Sequence, residues 1–411
     1  MSNSTTKKQS LIGTADNQTM YSILFIIGLC HLLNDSLQAV IPAMFPILEQ
    51  SLGLTFTQLG LIAFTLNMVA SVMQPVIGIY TDKHPMPYAL PIGLMSSMFG
   101  MLGLALAPNF SMILLSVFFI GIGSATFHPE GSRVAHLAAG PRRGLAQSIF
   151  QVGGNAGQAL APVITALVLV PLGQFGAIWF TLVAGLAVIL LTYIARWYKE
   201  QIATVMKNKK AAAANKTKKA PKKALVIAII VLVFVVFVRS WYHSAILNFY
   251  AFYAIDTYSV TIAKAQLYVF VFLFMGAVGT FLGGPLADRF GKRTIIVISI
   301  VVPTPLTLAL PYVNHTLAII LLCVIGFLLL SSFSVAVVYA QTLVPGKIGT
   351  MSGLIVGLAF GMGAIGAVLF GMLIDLYGIT NTMIFVSTLP ILGFIVFFLP
   401  TDEKVAQWYD D

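Results

Sequence analysis

Long apolar runs alternate with short polar segments along almost the whole chain. A helix that crosses a bilayer needs about 20 predominantly apolar residues. Twelve such runs occupy residues 21–46, 56–80, 88–107, 111–138, 145–170, 175–197, 225–253, 265–287, 294–312, 316–342, 350–374 and 379–399. The pattern predicts an all-α integral membrane protein with twelve transmembrane helices.

The longest polar interruption separates the sixth run from the seventh. Residues 196–223 contain ten lysines and arginines but a single acid, Glu200. We therefore expect two pseudo-symmetric six-helix bundles joined by a basic linker and flanked by short tails. The predicted parts are an N-terminal tail (1–20), a first bundle (21–197), the linker (198–224), a second bundle (225–399) and a C-terminal tail (400–411).

The composition agrees with a membrane protein. Hydrophobic residues make up 58% of the chain and charged residues only 9%, whereas soluble domains carry roughly 25% charged residues. Most of the net charge of +10 lies in the linker, so we expect no nucleic-acid partner. The residues before Tyr21 are polar and predict no cleavable signal segment. Cys30 and Cys323 lie far apart within apolar runs and are expected to pack without a disulfide or a metal.

The basic residues are distributed unevenly among the loops between the runs. With the N-terminus inside, the cytoplasmic loops hold the linker lysines together with Lys83, Arg142, Arg143, Arg289, Lys292, Arg293 and Lys347. The opposite loops hold only Lys264 as a base. The positive-inside rule then predicts that both termini are cytoplasmic.

Two short segments repeat at an offset of 206 residues, one after the second run and one after the eighth. The first contains Gly78, Asp82 and Lys83, and the second contains Gly284, Asp288, Arg289, Gly291, Lys292 and Arg293. Two parallel repeats joined by a long loop are typical of secondary transporters.

The second segment, GPLADRFGKR, resembles the signature loop of the major facilitator superfamily, and the likeness in hydropathy and repeat covers essentially the whole chain. This resemblance implies that the loop latches the two bundles in an outward-open state, which gives the residues of both segments a conformational role. The first copy departs from the motif, because His84-Pro85-Met86-Pro87 stands where a glycine and two bases are expected. For Lys292 and Arg293, simple anchoring at the anionic lipid surface is an alternative.

The stretches CHLLNDSLQAVIPAMFP and ATFHPEGSRVAH resemble the fosmidomycin-resistance branch of bacterial drug exporters. This resemblance implies a proton-coupled antiporter in the bacterial inner membrane that exports small drugs such as fosmidomycin, a hydroxamate phosphonate. The expected partners are the drug, protons and the lipid bilayer. We expect no cofactor and no metal, and a protein that functions as a monomer.

The first run contains four polar residues on one helical face. His31, Asn34, Asp35 and Gln38 follow the spacing i, i+3, i+4 and i+7. A charged side chain at mid-membrane costs roughly 2.5–3.5 kcal/mol on insertion scales, so it needs a partner, a water-filled cavity or a function. We predict that Asp35 and His31 couple transport to protons and that Asn34 and Gln38 contact substrate. A buried structural pair with a neighbouring helix is the alternative.

The seventh run places Arg239 at a similar depth, with Tyr242 and His243 on the same helical face. Because arginine keeps its charge, Arg239 must meet an acid, a carbonyl group or an anionic ligand. We hypothesise that Arg239 faces Asp35 across a central cavity and exchanges it for an anionic group of the substrate. Tyr242 and His243 are predicted to contribute to the same substrate site.

The fourth and fifth runs supply the remaining candidates. Glu130 and Arg133 have the i, i+3 spacing of an ion pair; we predict a proton-coupling role for Glu130, a gate role for Arg133 and a substrate contact for His128. A polar stripe on the fifth run is expected to line the pathway, and its members are Gln147, Gln151, Asn155 and Gln158. Gly144, Gly153 and Gly157 match part of the antiporter motif of the superfamily, although ordinary helix packing also explains them.

Other functions fit the sequence less well. The chain has no G-x4-G-K-[ST] phosphate-binding loop, which argues against an ATP-driven pump and leaves no enzyme expected. A proton-linked importer of an organic anion, with the same fold, stays open because residue chemistry does not set the direction of transport. A membrane enzyme built on His31, Asp35 and His128, or a sensor without flux, is more remote.

Overall fold

The computed structural model describes residues 18–84, 86–140, 143–208, 222–344 and 348–410, and every regular element within these ranges is helical. Twelve helices in this part of the chain are long and apolar enough to cross a membrane, and we number them as spans. Spans 1 to 6 are Tyr21–Ala43, Phe56–Thr81, Ala89–Leu106, Phe110–Ala138, Ile149–Leu172 and Gln174–Ile202. Spans 7 to 12 are Lys223–Tyr258, Ile262–Phe290, Lys292–Tyr312, His315–Leu343, Leu354–Tyr377 and Ile379–Phe398. The prediction of an all-α, twelve-span protein is confirmed.

Several helices extend beyond these spans or deviate from α-helical geometry. Extended helices are Phe56–Lys83, Arg143–Ile164, Ile178–Asn208, Lys222–Tyr258 and Ile348–Tyr377. Span 5 ends in a π-helical turn, Thr165–Leu169, and span 9 is divided into Lys292–Val301, Thr304–Ala309 and a 3-10 turn, Leu310–Tyr312. Span 12 combines Ile379–Leu392 with the 3-10 segment Gly393–Phe398. Two shorter helices, Phe45–Leu52 and Asp402–Asp410, follow spans 1 and 12.

The predicted linker is therefore partly helical. Residues 198–208 continue the helix of span 6, because lysine and alanine are good helix formers and polar residues alone do not end a helix. Residues 209–221, together with Arg142 and Lys347, lie outside the described residues, as do residues 1–17 of the predicted N-terminal tail and Asp411 of the C-terminal tail. The side chains of Asp82, Lys83 and Gln147 also lie outside them.

The internal repeat is visible in the helix caps. Thr55 caps span 2 by accepting from the backbone N–H of Gln58, and Thr261 caps span 8 in the same way. Asn109 and Asn314 cap spans 4 and 10 with their side-chain oxygens. These residues satisfy N–H groups that the first helical turn leaves unpaired. The two halves thus start equivalent spans with the same kind of residue.

Glycines bring helices into close contact within each bundle. A Cβ atom on Gly157 of span 5 would lie 2.3 Å from the carbonyl oxygen of Leu32 in span 1. A Cβ atom on Gly153 would lie 2.1 Å from the carbonyl oxygen of Gly28. Two of the glycines that match the antiporter motif therefore pack span 5 against span 1, which is the ordinary packing role that the sequence left open.

The two bundles are in close contact at the end of the molecule where spans 1 and 11 end and spans 2 and 8 begin, which we call the far end. A Cβ atom on Gly60 of span 2 would lie 2.5 Å from the carbonyl oxygen of Ala367 in span 11. Nε2 of Gln266 in span 8 donates to the carbonyl oxygen of Ala43 at 3.1 Å. At mid-depth, the Ser71 hydroxyl donates to the Gly357 carbonyl at 2.7 Å. The bundles are thus closed at the far end and enclose a cavity below it.

Candidate functional site

A cavity of about 340 Å³ lies between the two bundles. Its polar lining from the N-terminal bundle consists of His31, Asp35, Gln38, Asn67, Gln74, His128, Ser132, Gln151, Asn155 and Gln158. Its polar lining from the C-terminal bundle consists of Arg239, Ser240, His243, Ser244, Asn248 and Thr280. A concave site at the interface of two repeats, with apolar walls and a few polar groups, is the usual form of a small-molecule site in transporters.

Asp35 is buried at mid-depth of span 1 and is surrounded by hydrogen-bond donors. Nδ2 of Asn34 donates to Oδ1 of Asp35 at 2.9 Å, and Nε2 of Gln158 in span 5 donates to Oδ2 at 3.0 Å. Gln38 also reaches Oδ1, at 3.5 Å, while its own Oε1 accepts from the Ser124 hydroxyl of span 4. Three spans of one bundle therefore hold the carboxylate in a fixed position.

Two histidines approach the same carboxylate. Nδ1 of His31 lies 2.7 Å from the carbonyl oxygen of Phe150, and because that oxygen only accepts, Nδ1 carries a hydrogen. Nε2 of His31 then faces Oδ1 of Asp35 at 3.5 Å. A hydrogen on either atom would let Nε2 of His31 and Oδ1 of Asp35 attract each other, so the geometry suits a shared proton. Nε2 of His128 lies 3.7 Å from the same oxygen.

A glycine makes room for this group. A Cβ atom on Gly154 of span 5 would lie 2.5 Å from Nε2 of His31 and 2.9 Å from Oδ2 of Asp35. The ring of His31 stacks on Phe150, with ring centroids 4.1 Å apart. The absence of a side chain at Gly154 is therefore what allows His31 and Asp35 to meet.

His31, Asp35 and His128 are also the residues of this site that could hold a metal ion. Their ligand atoms lie within 4.8 Å of one another, and two imidazoles with one carboxylate suit a divalent transition metal. The sequence predicts no metal, and that expectation is best tested by including a chelator in any proton measurement.

Arg239 of span 7 forms the opposite wall of the cavity. It is 3% exposed, its Nη1 donates to the Ser332 hydroxyl at 3.2 Å, and its guanidinium lies 5.0 Å from the ring centroid of Phe333. Its Nη2 has no hydrogen-bond partner among the described residues. Arg239 and Asp35 line one cavity, yet the contacts of Asp35 come from its own bundle and those of Arg239 from the other. The hypothesised exchange would therefore start from two separated charges.

The remaining predicted substrate residues divide into two groups. Gln38, His128, Gln151, Asn155, Gln158 and His243 all line the cavity. Asn34 does not, because its side chain is buried against Asp35. Tyr242 does not line it either: it is buried inside the C-terminal bundle beside Tyr250, Tyr253 and Leu310. One helical residue corresponds to about 100° of rotation, so Tyr242 points away from the side that His243 presents to the cavity.

Glu130 lies apart from the cavity lining. It is fully buried, its Oε1 lies 2.9 Å from Nη1 of Arg133, and its Oε2 accepts from the Tyr198 hydroxyl of span 6 at 3.0 Å. Nη1 of Arg133 also donates to the carbonyl oxygen of Thr81 at the end of span 2. These contacts tie three spans of one bundle together, which favours a structural role for Glu130 over the predicted proton-coupling role.

The signature loop of the second half binds within its own bundle. The backbone N–H of Arg293 donates to Asp402 at 3.1 Å, its Nε donates to the Leu399 carbonyl at 2.7 Å, and its Nη2 donates to the Phe397 carbonyl at 3.0 Å. Nζ of Lys292 lies 3.7 Å from Oδ1 of Asp402. These residues fasten the C-terminal helix to the bundle.

The other predicted gate residues make few contacts in this conformation. Asp288 and Arg289 are exposed, and among the described residues Asp288 has no hydrogen-bond or ion-pair partner. A Cβ atom on Gly284 would have no neighbour within 4 Å, and one on Gly78 would meet only Pro129, at 3.7 Å. Gly291 has φ +89° and ends the helix of span 8, a conformation that favours glycine. The described residues of the predicted latch therefore do not join the two bundles in this conformation, and the latch stays a prediction for another conformation.

Sequence reasoning missed most of the polar groups of the C-terminal wall. Ser240, Ser244 and Asn248 recur at i, i+4 and i+8 on span 7 and line the cavity. The same spacing identified the stripe of Gln151, Asn155 and Gln158 on span 5. Serine was overlooked because it is common in membrane helices, where its hydroxyl bonds to its own backbone.

Comparisons with known proteins agree with the fold. The sequence model of the Major Facilitator Superfamily matches residues 24–366. The chain is 65% identical over 391 residues to an uncharacterized MFS-type transporter, YfnC, of Bacillus subtilis, covering 95% of this chain and 96% of that protein. It is 43% identical over 390 residues to the fosmidomycin resistance protein of Escherichia coli, covering 95% of each.

Solved structures share the architecture at low sequence identity. A bacterial homolog of the human lysosomal transporter Spinster, in an inward-facing and unoccupied conformation, has a TM-score of 0.71 at 15% identity and covers 97% of both chains. The nucleoside transporter NupG has a TM-score of 0.71 at 14% identity, covering 92% of this chain and 98% of its own. At such identities the likeness concerns the fold alone.

Proposed function

The chain belongs to the major facilitator superfamily and is a multi-pass membrane transporter of that fold, and on this premise we propose that it exports fosmidomycin-like anionic compounds in exchange for protons. The proposed setting is the bacterial inner membrane, with both termini in the cytoplasm and a monomer as the working unit. The likeness to the fosmidomycin resistance protein supports this substrate class.

The observation that carries the proposal is the close approach of His31 to Asp35 in the wall of the central cavity, opposite Arg239. Nε2 of His31 faces Oδ1 of Asp35 at 3.5 Å. Arg239 lies buried in the opposite wall, and in the described part of the chain its Nη2 has no hydrogen-bond partner. A proton site and an anion-attracting group in one cavity are the two elements that a proton–anion antiporter requires.

The cycle follows from these charges. With the cavity reached from the cytoplasm, an anionic drug binds near Arg239, and the proton leaves the His31–Asp35 pair. Opening at the far end then releases the drug outside, and a proton from that side restores the pair. One charge that falls through 100 mV supplies about 2.3 kcal/mol, enough for roughly a 45-fold concentration gradient.

Proton release from the purified protein in detergent tests the coupling. We expect fosmidomycin to release protons from the wild type, measured with a pH indicator in weak buffer containing EDTA, and to release none from Asp35→Asn. Glu130→Gln, which alters a buried acid outside the cavity lining, should keep the release. Binding without release in the wild type, or equal release from Asp35→Asn, would contradict the assignment of Asp35.

Growth assays test the direction of transport. Expression in a fosmidomycin-sensitive bacterium should raise the drug concentration needed to stop growth, and Asp35→Asn should remove this protection at equal protein level in the membrane. Increased sensitivity would instead identify the alternative function, an importer of organic anions.

A further inference from the structure

An acid from the C-terminal bundle caps the first turn of a helix in the N-terminal bundle. Asp375 lies near the end of span 11, at the far end of the molecule. Its Oδ1 accepts from the backbone N–H of Phe56 at 3.0 Å, and its Oδ2 accepts from that of Thr57 at 2.8 Å. The Thr57 hydroxyl donates to the same carboxylate. Three donors at the start of span 2 thus converge on one side chain that is 318 positions away.

The start of span 2 depends on this contact for its hydrogen bonds. The first helical turn has unpaired backbone N–H groups. Thr55 satisfies that of Gln58 with its own hydroxyl, and Gln58 returns a bond to the N–H of Thr55. The N–H groups of Phe56 and Thr57 remain, and Asp375 takes both. A negative charge at a helix N-terminus is also favoured by the helix dipole.

The contact lies at the tightest crossing of the two bundles. A Cβ atom on Gly371 would lie 2.3 Å from the carbonyl oxygen of Phe56, and one on Gly60 would lie 2.5 Å from that of Ala367. Ala367, Gly371 and Asp375 follow one another at i, i+4 and i+8, so they form one side of span 11. Asp375 therefore lies at the end of the contact line between spans 2 and 11, which we call a seam and along which the two backbones touch.

The seam related to it by the repeat has no such acid. Residues 165–172 at the end of span 5, the counterpart of span 11, contain no acidic residue. Span 8, the counterpart of span 2, starts from the cap of its own Thr261. An acid is thus present in the contact between spans 2 and 11 but not in the equivalent contact between spans 8 and 5, so the fold itself does not require it.

We propose that Asp375 is a gating residue that holds the far end closed and whose release from span 2 accompanies opening at that end. The residue is exposed, so water can replace its bonds to Phe56 and Thr57 when the bundles separate, which makes the contact reversible. The proposal requires that the two bundles rock against each other, and it does not depend on proton coupling or on fosmidomycin as the substrate.

A distance measurement between the two bundles tests the proposal. Nitroxide labels on Ser51→Cys and Lys264→Cys, both exposed at the far end on different bundles, would be measured by double electron–electron resonance in detergent and in lipid nanodiscs. Cys323 is replaced by serine, and Cys30 is buried. In Asp375→Asn we expect the ratio of long to short distances to rise about fivefold, which corresponds to the roughly 1 kcal/mol of a typical N-cap.

Two further variants separate gating from general effects. Asp256→Asn removes an acid at the same end whose partner, Thr380, belongs to its own bundle, and it should leave the distances unchanged. Thr57→Val removes only one of the three donors and should shift the ratio less than Asp375→Asn. Unchanged distances in Asp375→Asn, or an equal shift in Asp256→Asn, would overturn the proposal.

Discussion

The two walls of the central cavity are built in opposite ways. On the N-terminal wall, Asp35 is held by amide donors from Asn34 and Gln158, and His31 is fixed by the Phe150 carbonyl. On the C-terminal wall, Arg239 donates to the neutral Ser332, and its Nη2 has no hydrogen-bond partner among the described residues. A fully bonded group keeps its geometry when the ligand leaves, whereas a group with a free donor gains most from binding one. In the proposed exchange, the N-terminal wall would be the fixed proton site and the C-terminal wall the open anion site.

Removal of the positive charge of Arg239 should have the largest effect on fosmidomycin binding. Arg239→Met is expected to weaken fosmidomycin binding about 30-fold or more, because loss of a buried charged hydrogen bond costs roughly 2–5 kcal/mol. Thermal stability should stay unchanged or rise, since the variant removes a buried charge that has no acid partner in the described part of the chain. Calorimetry of binding and a thermal melt measure both, and an unchanged dissociation constant would contradict the assignment of the open site.

Removal of Glu130, an acid whose two oxygens both have partners, should lower the stability of the protein and leave its affinity for the drug unchanged. Glu130→Ala leaves Arg133 and Tyr198 without their shared partner, and breaking a buried pair from one side costs about 3 kcal/mol or more. The melting temperature in detergent should fall by about 5 °C or more, while folded protein keeps its affinity for the drug. Equal stability of Glu130→Ala and wild type would show that this ion pair does not tie the bundle together.

A single methyl group should disturb the proton site. Gly154→Ala places a Cβ atom 2.5 Å from Nε2 of His31, and relief of such overpacking costs roughly 1–3 kcal/mol. We expect the drug-dependent proton release to fall about tenfold at equal protein concentration. Gly185→Ala in span 6 is the matched control because a Cβ atom there would meet only Sδ of Met98, at 3.9 Å. Normal release from Gly154→Ala would mean that His31 and Asp35 need not stay together.

The smallest effect on binding is expected from substitution of Ser332, the neutral hydrogen-bond partner of Arg239. Ser332→Ala removes only the hydrogen bond to Nη1 of Arg239 and leaves the charge in place, so the binding free energy should change by about 1 kcal/mol or less. Binding should weaken by about threefold, or strengthen slightly if the freed Nη1 donates to the ligand. A loss as large as that of Arg239→Met would show that Ser332 itself contacts the drug, and the same calorimetric titration distinguishes these results.

The twelve spans were predictable because lipid requires about 20 apolar residues wherever the backbone crosses it. The first predicted run ends at residue 46, inside the helix Phe45–Leu52. The rest of that helix was assigned to a loop because Glu49, Gln50 and Ser51 are polar. The helix Asp402–Asp410 was missed because it is polar and its position depends on tertiary contacts with Arg293.

The candidate site was predictable only where residues share one helix. Helical spacing correctly grouped His31, Asp35 and Gln38, which line the same cavity. Long-range partners were beyond this reasoning: nothing local relates Glu130 to Tyr198 or Asp375 to Phe56, which are brought together by packing between spans. The direction of Tyr242 was also missed, because the side of span 7 that faces the cavity depends on the neighbouring spans.

The C-terminal helix, Asp402–Asp410, packs against the C-terminal bundle and is a suitable fusion site for electron cryomicroscopy. Asp402 binds the start of span 9, and the hydroxyl of Tyr409 donates to the Leu343 carbonyl at the end of span 10 at 2.6 Å. The helix must therefore move with the C-terminal bundle as one rigid unit. A soluble protein fused to this helix through an uninterrupted helical junction would report the orientation of that bundle, and would serve as a fiducial for aligning particles in electron cryomicroscopy.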